Sequence, residues 1–293
     1  GAALLYGDGM ITPAITVLGA VEGLSVITEF FNPYILPISL TIIFGIFLNQ
    51  KWGTARIGTY FGPIILIWFF TIGALGLWSI IAHPHVLLAV NPYYGIKFLL
   101  THGVLGFALL GSVFLAVTGG ESLYADIGHF GRIPIRNGWF VVALPCLLLN
   151  YFGQGAILLV DKSAIANPFF ALTPKVLLYP MVVLATMAAS IASQAVITGA
   201  FSITRQAVQL GFLPRLKILH TSSHTIGQIY VPVVNTLLML ATFGLVVGFG
   251  SSSALSAAYG VAVSTTMLIT STLLAIYMKH AGKWPGYKIP LTA

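Results

Sequence analysis

The chain has 293 residues, of which 58% are hydrophobic and only 6% charged, with a mean hydropathy of +0.98. Soluble domains carry about 25% charged residues, so this composition excludes a water-coated globule and makes lipid the solvent for most of the surface. The net charge of +7 is spread over short connectors between apolar runs, with no basic stripe of the kind that binds phosphate backbones, and excludes a nucleic-acid partner.

Hydropathy divides the chain into eight spans of bilayer length, forming one polytopic domain over 1–293. They lie near 1–24, 34–50, 54–81, 103–129, 134–159, 175–210, 229–250 and 253–279. Gly1 opens directly into apolar sequence, and a further span could begin at the other end, so the chain reads as a fragment cut at both ends. The first span carries Gly7, Gly9 and Pro13 and reads as one helix with a proline kink. Alternate connectors hold Lys51 and Arg56, Arg132 and Arg136, Arg205, Arg215 and Lys217, then Lys279, Lys283 and Lys288. The intervening ones hold only Lys97, Lys162 and Lys175. That asymmetry places the first set in the cytoplasm. Asn91-Pro92 reads as the cap and first turn of an external interfacial helix.

Six acids serve the whole chain, and two of them, Asp8 and Glu121, fall inside apolar spans. A charge at the bilayer centre costs about 2.5–3.5 kcal/mol on insertion scales, so each is a functional-site candidate. Glu121 directly follows Thr118-Gly119-Gly120. Paired glycines weaken a helix by roughly 1 kcal/mol each relative to Ala, and freed backbone groups at membrane depth are tolerated only where they line a cavity. Ion sites of secondary transporters use such discontinuous helices. Ser190, Gln194, Thr198 and Ser202 form a polar stripe that either lines a pathway or packs helices. Asn150, Tyr151 and Gln154 carry the same two readings, with packing favoured. Tyr259 could offer a phenolic oxygen to a cavity. Glu22 lies fourteen residues beyond Asp8, roughly 21 Å along a helix, where a gate or an interfacial charge are both open. Cys146 is the only cysteine, which excludes an internal disulfide. His83-Pro84-His85 has no companion ligand for a metal. There is no P-loop, nucleophile elbow or zincin motif; neither an enzyme nor a bound cofactor is expected.

Several strings carry a family resemblance. Tyr6-Gly7-Asp8-Gly9-Met10-Ile11-Thr12-Pro13-Ala14-Ile15 runs on to Ala20-Val21-Glu22-Gly23-Leu24. Thr118-Gly119-Gly120-Glu121-Ser122-Leu123-Tyr124-Ala125-Asp126 surrounds the break, and Leu149-Asn150-Tyr151-Phe152-Gly153-Gln154-Gly155-Ala156 and Gly227-Gln228-Ile229-Tyr230-Val231-Pro232 follow. In this order they resemble the KUP/HAK/KT potassium uptake transporters, in a style similar to bacterial members. The resemblance implies an all-α integral membrane bundle of LeuT type, in the APC superfamily with inverted repeats, of which this chain resembles helices three to ten. It implies secondary K⁺ uptake with H⁺ symport across the plasma membrane, the inner membrane of a bacterium. It also implies ion or proton roles at Asp8 and Glu121. On that plan K⁺ would be held, in transit, by oxygens of Asp8, Tyr6 and Thr118, with Thr12 and Tyr259 close by, and Ser190, Gln194, Thr198, Asn150 and Gln154 lining the route. Partners are then K⁺, H⁺ and the bilayer, with a homodimer left open. The alternatives are an amino-acid or polyamine carrier on the same fold and, in a different class, a potassium channel. The channel would need a re-entrant filter such as Thr-Val-Gly-Tyr-Gly, which the sequence lacks.

Overall fold

Residues 14, 17, 18 and 21 are apolar at helical spacing, and all four are buried, which makes the first helix the hub of the structure. The computed structural model describes residues 2–52, 55–115, 131–220 and 229–280. The hub, α1 (Ala2–Ile27), runs unbroken through Pro13. It packs on α2 (Ile35–Asn49), α7 (Leu178–Gln209), α8 (Pro232–Phe249) and α9 (Ser252–His280). Val17, Leu18, Ile43, Ile197, Val246 and Leu255 share one core among these helices. Asn235 of α8 donates through Nδ2 to the Phe47 carbonyl of α2 at 3.2 Å, tying the pair together.

A second packed pair is α3 (Ala55–Ala82) and α5 (Arg132–Val160). Their backbones meet at glycines: an added Cβ at Gly76 would lie 2.2 Å from the Leu149 carbonyl oxygen, and one at Gly153 would lie 2.5 Å from the Gly76 Cα. Small residues let membrane helices approach this closely. The Ser79 hydroxyl donates to the Gly153 carbonyl at 2.9 Å across the same crossing. A π-turn at Trp139–Ala143 interrupts α5 just before Pro145, whose ring nitrogen cannot close the ordinary helical bond.

Among the described residues, seven helices are long and apolar enough to cross a membrane. They coincide with seven of the eight expected spans. The remaining expected span, 103–129, differs at its start. Its described part belongs to α4 (Pro92–Leu115), which begins eleven residues before 103 and turns out of helical geometry at Gly103 (φ 51°, ψ −124°). A positive φ of this kind is open to glycine at little steric cost. The segment before Gly103 is the short helix expected after Asn91, whose side-chain oxygen accepts from the Tyr93 amide at 3.0 Å. The rest of that span, 116–129, lies outside the described residues.

The connectors are themselves short helices: 3₁₀ turns at Glu29–Tyr34, Pro84–Val90 and Lys162–Ala166, then α6 (Pro168–Ala171). Departing from the all-helical expectation, β1 (Leu219–His220) pairs antiparallel with β2 (Ile229–Tyr230), with Leu219 opposite Tyr230. Large apolar side chains cover the outside: Trp78 is 77% exposed, Leu100 81% and Val104 88%, the surface a lipid solvent requires. Phe30 packs on Tyr34 in the first connector and Tyr93 on Tyr94 at the start of α4, residue types that suit a membrane interface.

Candidate functional site

Asp8 sits in the first half of α1, partly buried, with Thr12 one turn on. The Thr12 hydroxyl donates to Asp8 Oδ1 at 2.5 Å. Pro13 has no N–H to return to the Gly9 carbonyl, so the helical ladder lacks a donor one residue from Asp8. The turn thus gathers a carboxylate, a hydroxyl oxygen and a backbone carbonyl relieved of its helical partner. Oxygens of these kinds replace the water shell of a large monovalent cation.

One turn further, the Thr16 hydroxyl donates to the Thr12 carbonyl at 2.7 Å. Ser193 of α7, wholly buried, donates its own hydroxyl proton to the Ala189 carbonyl at 2.7 Å. The two hydroxyl oxygens face each other at 3.4 Å. Each hydroxyl has one proton and two lone pairs, and either can donate to the other across the α1–α7 interface or back to its own helix. Turned toward their own-helix carbonyls, the two hydroxyls leave their oxygens facing the interface, and in that rotamer they suit a cation.

Tyr6, two residues before Asp8, reaches across to α7. Its phenol is 2.5 Å from Thr204 Oγ1 of α7. Thr204 donates to the Ala200 carbonyl at 2.8 Å, which leaves Tyr6 as the donor of the shared bond. The Tyr6 hydroxyl therefore locks α1 to α7. These contacts also fix direction: Tyr6 meets Thr204 and Thr16 meets Ser193, so α1 and α7 are antiparallel. Thr242 of α8 donates to the Met10 carbonyl at 3.2 Å, which anchors the same stretch of α1 from another side.

Beyond Thr16 a cavity of about 560 Å³ opens between α1, α3, α6, α7 and the start of α9. Thr16, Gly19 and Glu22 form its α1 wall, with Ala185, Ala188, Ala189 and Ala192 opposite, and Trp68, Phe69 and Phe169 to one side. Glu22 is the only acid among its lining residues. The polar face of α1 therefore runs from Asp8 through Thr12 and Thr16 into this cavity.

The other sequence candidates distribute as follows. Ser190, Thr198 and Ser202 donate to the carbonyls of Thr186, Gln194 and Thr198 within α7, and Gln194 is partly buried beside them. The residues of α7 that meet the α1 hydroxyls are instead Ser193 and Thr204. Asn150 is buried in the α3–α5 seam, donating to the Ile72 carbonyl at 3.4 Å, and accepts from Gln154 Nε2 at 2.6 Å. Tyr259 is half-buried on α9, two turns from its start. Thr118, Glu121 and Asp126 lie outside the described residues. Groups of three or more metal-ligating side chains are absent among the described residues.

Comparison with known proteins gives one answer throughout. The family described as "K+ potassium transporter integral membrane domain" matches residues 1–292. A Geobacter sulfurreducens protein named "Probable potassium transport system protein Kup 1" is 58% identical over 97% of this chain and 45% of its own length. A Bdellovibrio bacteriovorus protein, "Probable potassium transport system protein Kup", is 57% identical over 97% of this chain and 42% of its length. One from Ralstonia nicotianae, again "Probable potassium transport system protein Kup 1", is 56% identical over 97% and 46%. The chain thus spans less than half the length of the curated relatives it matches. No solved structure matches it.

Proposed function

The chain belongs to the K+ potassium transporter integral membrane family, and on that premise we propose that it forms the ion-binding core of a secondary potassium uptake carrier. The observation that carries the reading is the Asp8 turn of α1. A membrane-embedded carboxylate is bonded to Thr12 and continues through Thr16 into a cavity. Potassium enters by that cavity, passes the Thr16–Ser193 oxygen pair, and reaches Asp8, Thr12 and the Gly9 carbonyl as its water is stripped. The fixed negative charge of Asp8 offsets the cost of dehydrating the ion in a low-dielectric interior.

In the whole protein the architecture is the LeuT-type bundle, and the ion route also draws on Thr118 and Glu121. Glu121 takes the coupling proton and Asp8 the ion, so that uptake is K⁺:H⁺ symport across the bacterial inner membrane. The test uses the full-length protein in a host lacking other potassium uptake. Asp8→Asn and Glu121→Gln are nearly isosteric and remove charge alone. Both should insert normally and abolish growth at low potassium. Asp8→Asn should also lose Rb⁺ binding, while Glu121→Gln keeps binding and loses pH-driven uptake. Normal pH-driven uptake by both variants rejects the reading. Rb⁺ flux that proton uncouplers leave untouched favours a channel, and competition by free amino acids or polyamines favours the other carrier class.

A further inference from the structure

The side chain of Glu22 does something the ion path does not require. At the mouth of the cavity, Oε1 accepts the Ser252 backbone N–H at 2.8 Å, and Oε2 accepts the Ser252 hydroxyl in a short bond. Ser252 is the first residue of α9. Ser251 before it is the N-cap: its carbonyl accepts from Leu255 at 3.2 Å and its hydroxyl oxygen accepts from the Ala254 amide at 3.3 Å. The Ser252 N–H is one of the donors a helix leaves unmatched at its start. Here it is satisfied by a carboxylate borrowed from another helix, 230 residues away in sequence, and that negative charge sits at the positive end of the α9 dipole. Gly19 faces the same residue, where an added Cβ would lie in ordinary contact, 3.6 Å from the Ser252 Cβ.

We infer that Glu22 is a positioning residue for transport, a latch that clamps the N-terminus of α9 to α1 and sets the width of the cavity mouth. Its charge is taken up by the helix start rather than offered to the ion. Through α9 it also fixes the placement of Tyr259. Nearby on the same stretch of α1, Gly23 lets the buried Phe170 ring of α6 rest on the helix, with an added Cβ falling 2.3 Å from the ring. The mouth of the cavity is therefore closed in by α6 from one side and by the latched end of α9 from the other. This inference rests on the carrier reading, and its test includes a measurement that does not depend on transport.

Two substitutions attack the latch from opposite sides in the full-length protein. Glu22→Ala removes the acceptor. Ser252→Pro removes both donors yet keeps the start of α9, because proline is favoured at the first helical position. Both carry Cys146→Ser and a reporter, Ala192→Cys, on the far cavity wall. A membrane-impermeant thiol reagent added outside should label position 192 about tenfold faster in each variant, the scale of losing a charge-assisted hydrogen bond. The double variant should be no faster than either single one, and Glu22→Asp should restore most of the protection. In parallel, Rb⁺ uptake by both single variants should lose about tenfold in maximal rate with KM little changed, because the ion ligands are untouched. Labelling at the wild-type rate in both variants overturns the latch, whether or not the protein carries potassium. So does Glu22→Gln abolishing Rb⁺ binding while Ser252→Pro is silent, since that outcome makes Glu22 an ion ligand. If wild type itself takes up no Rb⁺, the carrier reading falls and the labelling result still decides the latch.

Discussion

Replacing Gly76 by alanine tests whether α3 and α5 truly cross backbone to backbone. The new Cβ would lie 2.2 Å from the Leu149 carbonyl oxygen and 2.7 Å from the Asn150 Cα. Neither neighbour is the end of a side chain that can swing away; both are helix backbone. The helices must therefore part by about 1 Å, and a packed interior has no slack for that. The same movement stretches the Ser79–Gly153 bond, now 2.9 Å, and the already long Asn150–Ile72 bond. Overpacking costs about 1–3 kcal/mol, and one weakened buried hydrogen bond adds about 1 kcal/mol. The expected loss is about 3 kcal/mol, with Gly153→Ala close to it and the double variant far from additive, since both act on one crossing. Thermal unfolding of the purified full-length protein in detergent, followed by tryptophan fluorescence, reads the effect as a fall of several degrees. An unfolding temperature within about a degree of wild type for Gly76→Ala would mean the crossing is not as described.

Three further outcomes follow from the same geometry. Tyr6→Phe removes the donor to Thr204 and leaves a buried hydroxyl oxygen with its lone pairs unused; it should lower stability by about 1 kcal/mol and leave Rb⁺ binding intact, while loss of binding would make Tyr6 an ion ligand. The charge alternation of the connectors predicts that cysteines at Lys97 and Lys162 react with an impermeant thiol reagent in sealed cells and those at Lys51, Arg132 and Arg215 do not; reaction at 215 overturns the sidedness. Asp161 accepts from the Ser163 hydroxyl and amide, in that order of effect, and these hold its carboxyl below the usual carboxylate value. A depressed carboxyl stabilises the fold at pH above its unfolded value and loses that contribution only as pH falls through the folded one. Protection of the Ser163 amide against hydrogen exchange, relative to the intrinsic rate at each pH, should hold through the usual carboxylate range and be lost only below it; loss of protection above that range would break the assignment.

Hydropathy and loop charge exposed most of the helical layout because lipid forces nearly every span to be apolar and complete in its own hydrogen bonds. Cap chemistry was legible as well: Asn91 before Pro92 marked the start of α4. The turn at Gly103 was not, because a positive φ leaves no trace in a single glycine among thirty-one. The hydroxyls of α7 that meet α1 were not singled out, for a geometric reason. Residues spaced by four, such as Ser190, Gln194, Thr198 and Ser202, drift by about 40° at each step around a helix with 3.6 residues per turn. Ser193 and Thr204, eleven apart, stay within about 20° of one face, and that is the face turned to α1. An eleven-residue recurrence of hydroxyls would have found them. Glu22 could be placed near one end of its helix but not explained, since its partner Ser252 is 230 residues away, and nothing local to either announces the other.

The Thr16–Ser193 pair bears on how potassium reaches Asp8. Either hydroxyl can donate to the other across 3.4 Å, which would serve helix packing, and each can also donate to a carbonyl one turn back on its own helix, which leaves both oxygens open between the cavity and the carboxylate. Thr16→Val keeps shape and removes one of these oxygens; Ser193→Ala removes the other with the loss of a single small group. A packing role predicts unchanged or improved stability and unchanged uptake, since replacing polar groups by apolar ones of similar shape is close to neutral. A coordinating role predicts normal stability with KM for Rb⁺ raised about tenfold in each variant, and little further loss in the double variant, because one missing ligand already opens the shell. Asp8→Asn, by contrast, should remove binding altogether. Wild-type KM in both hydroxyl variants would confine the ion ligands of α1 to the Asp8 turn and leave the pair as a relic of helix packing.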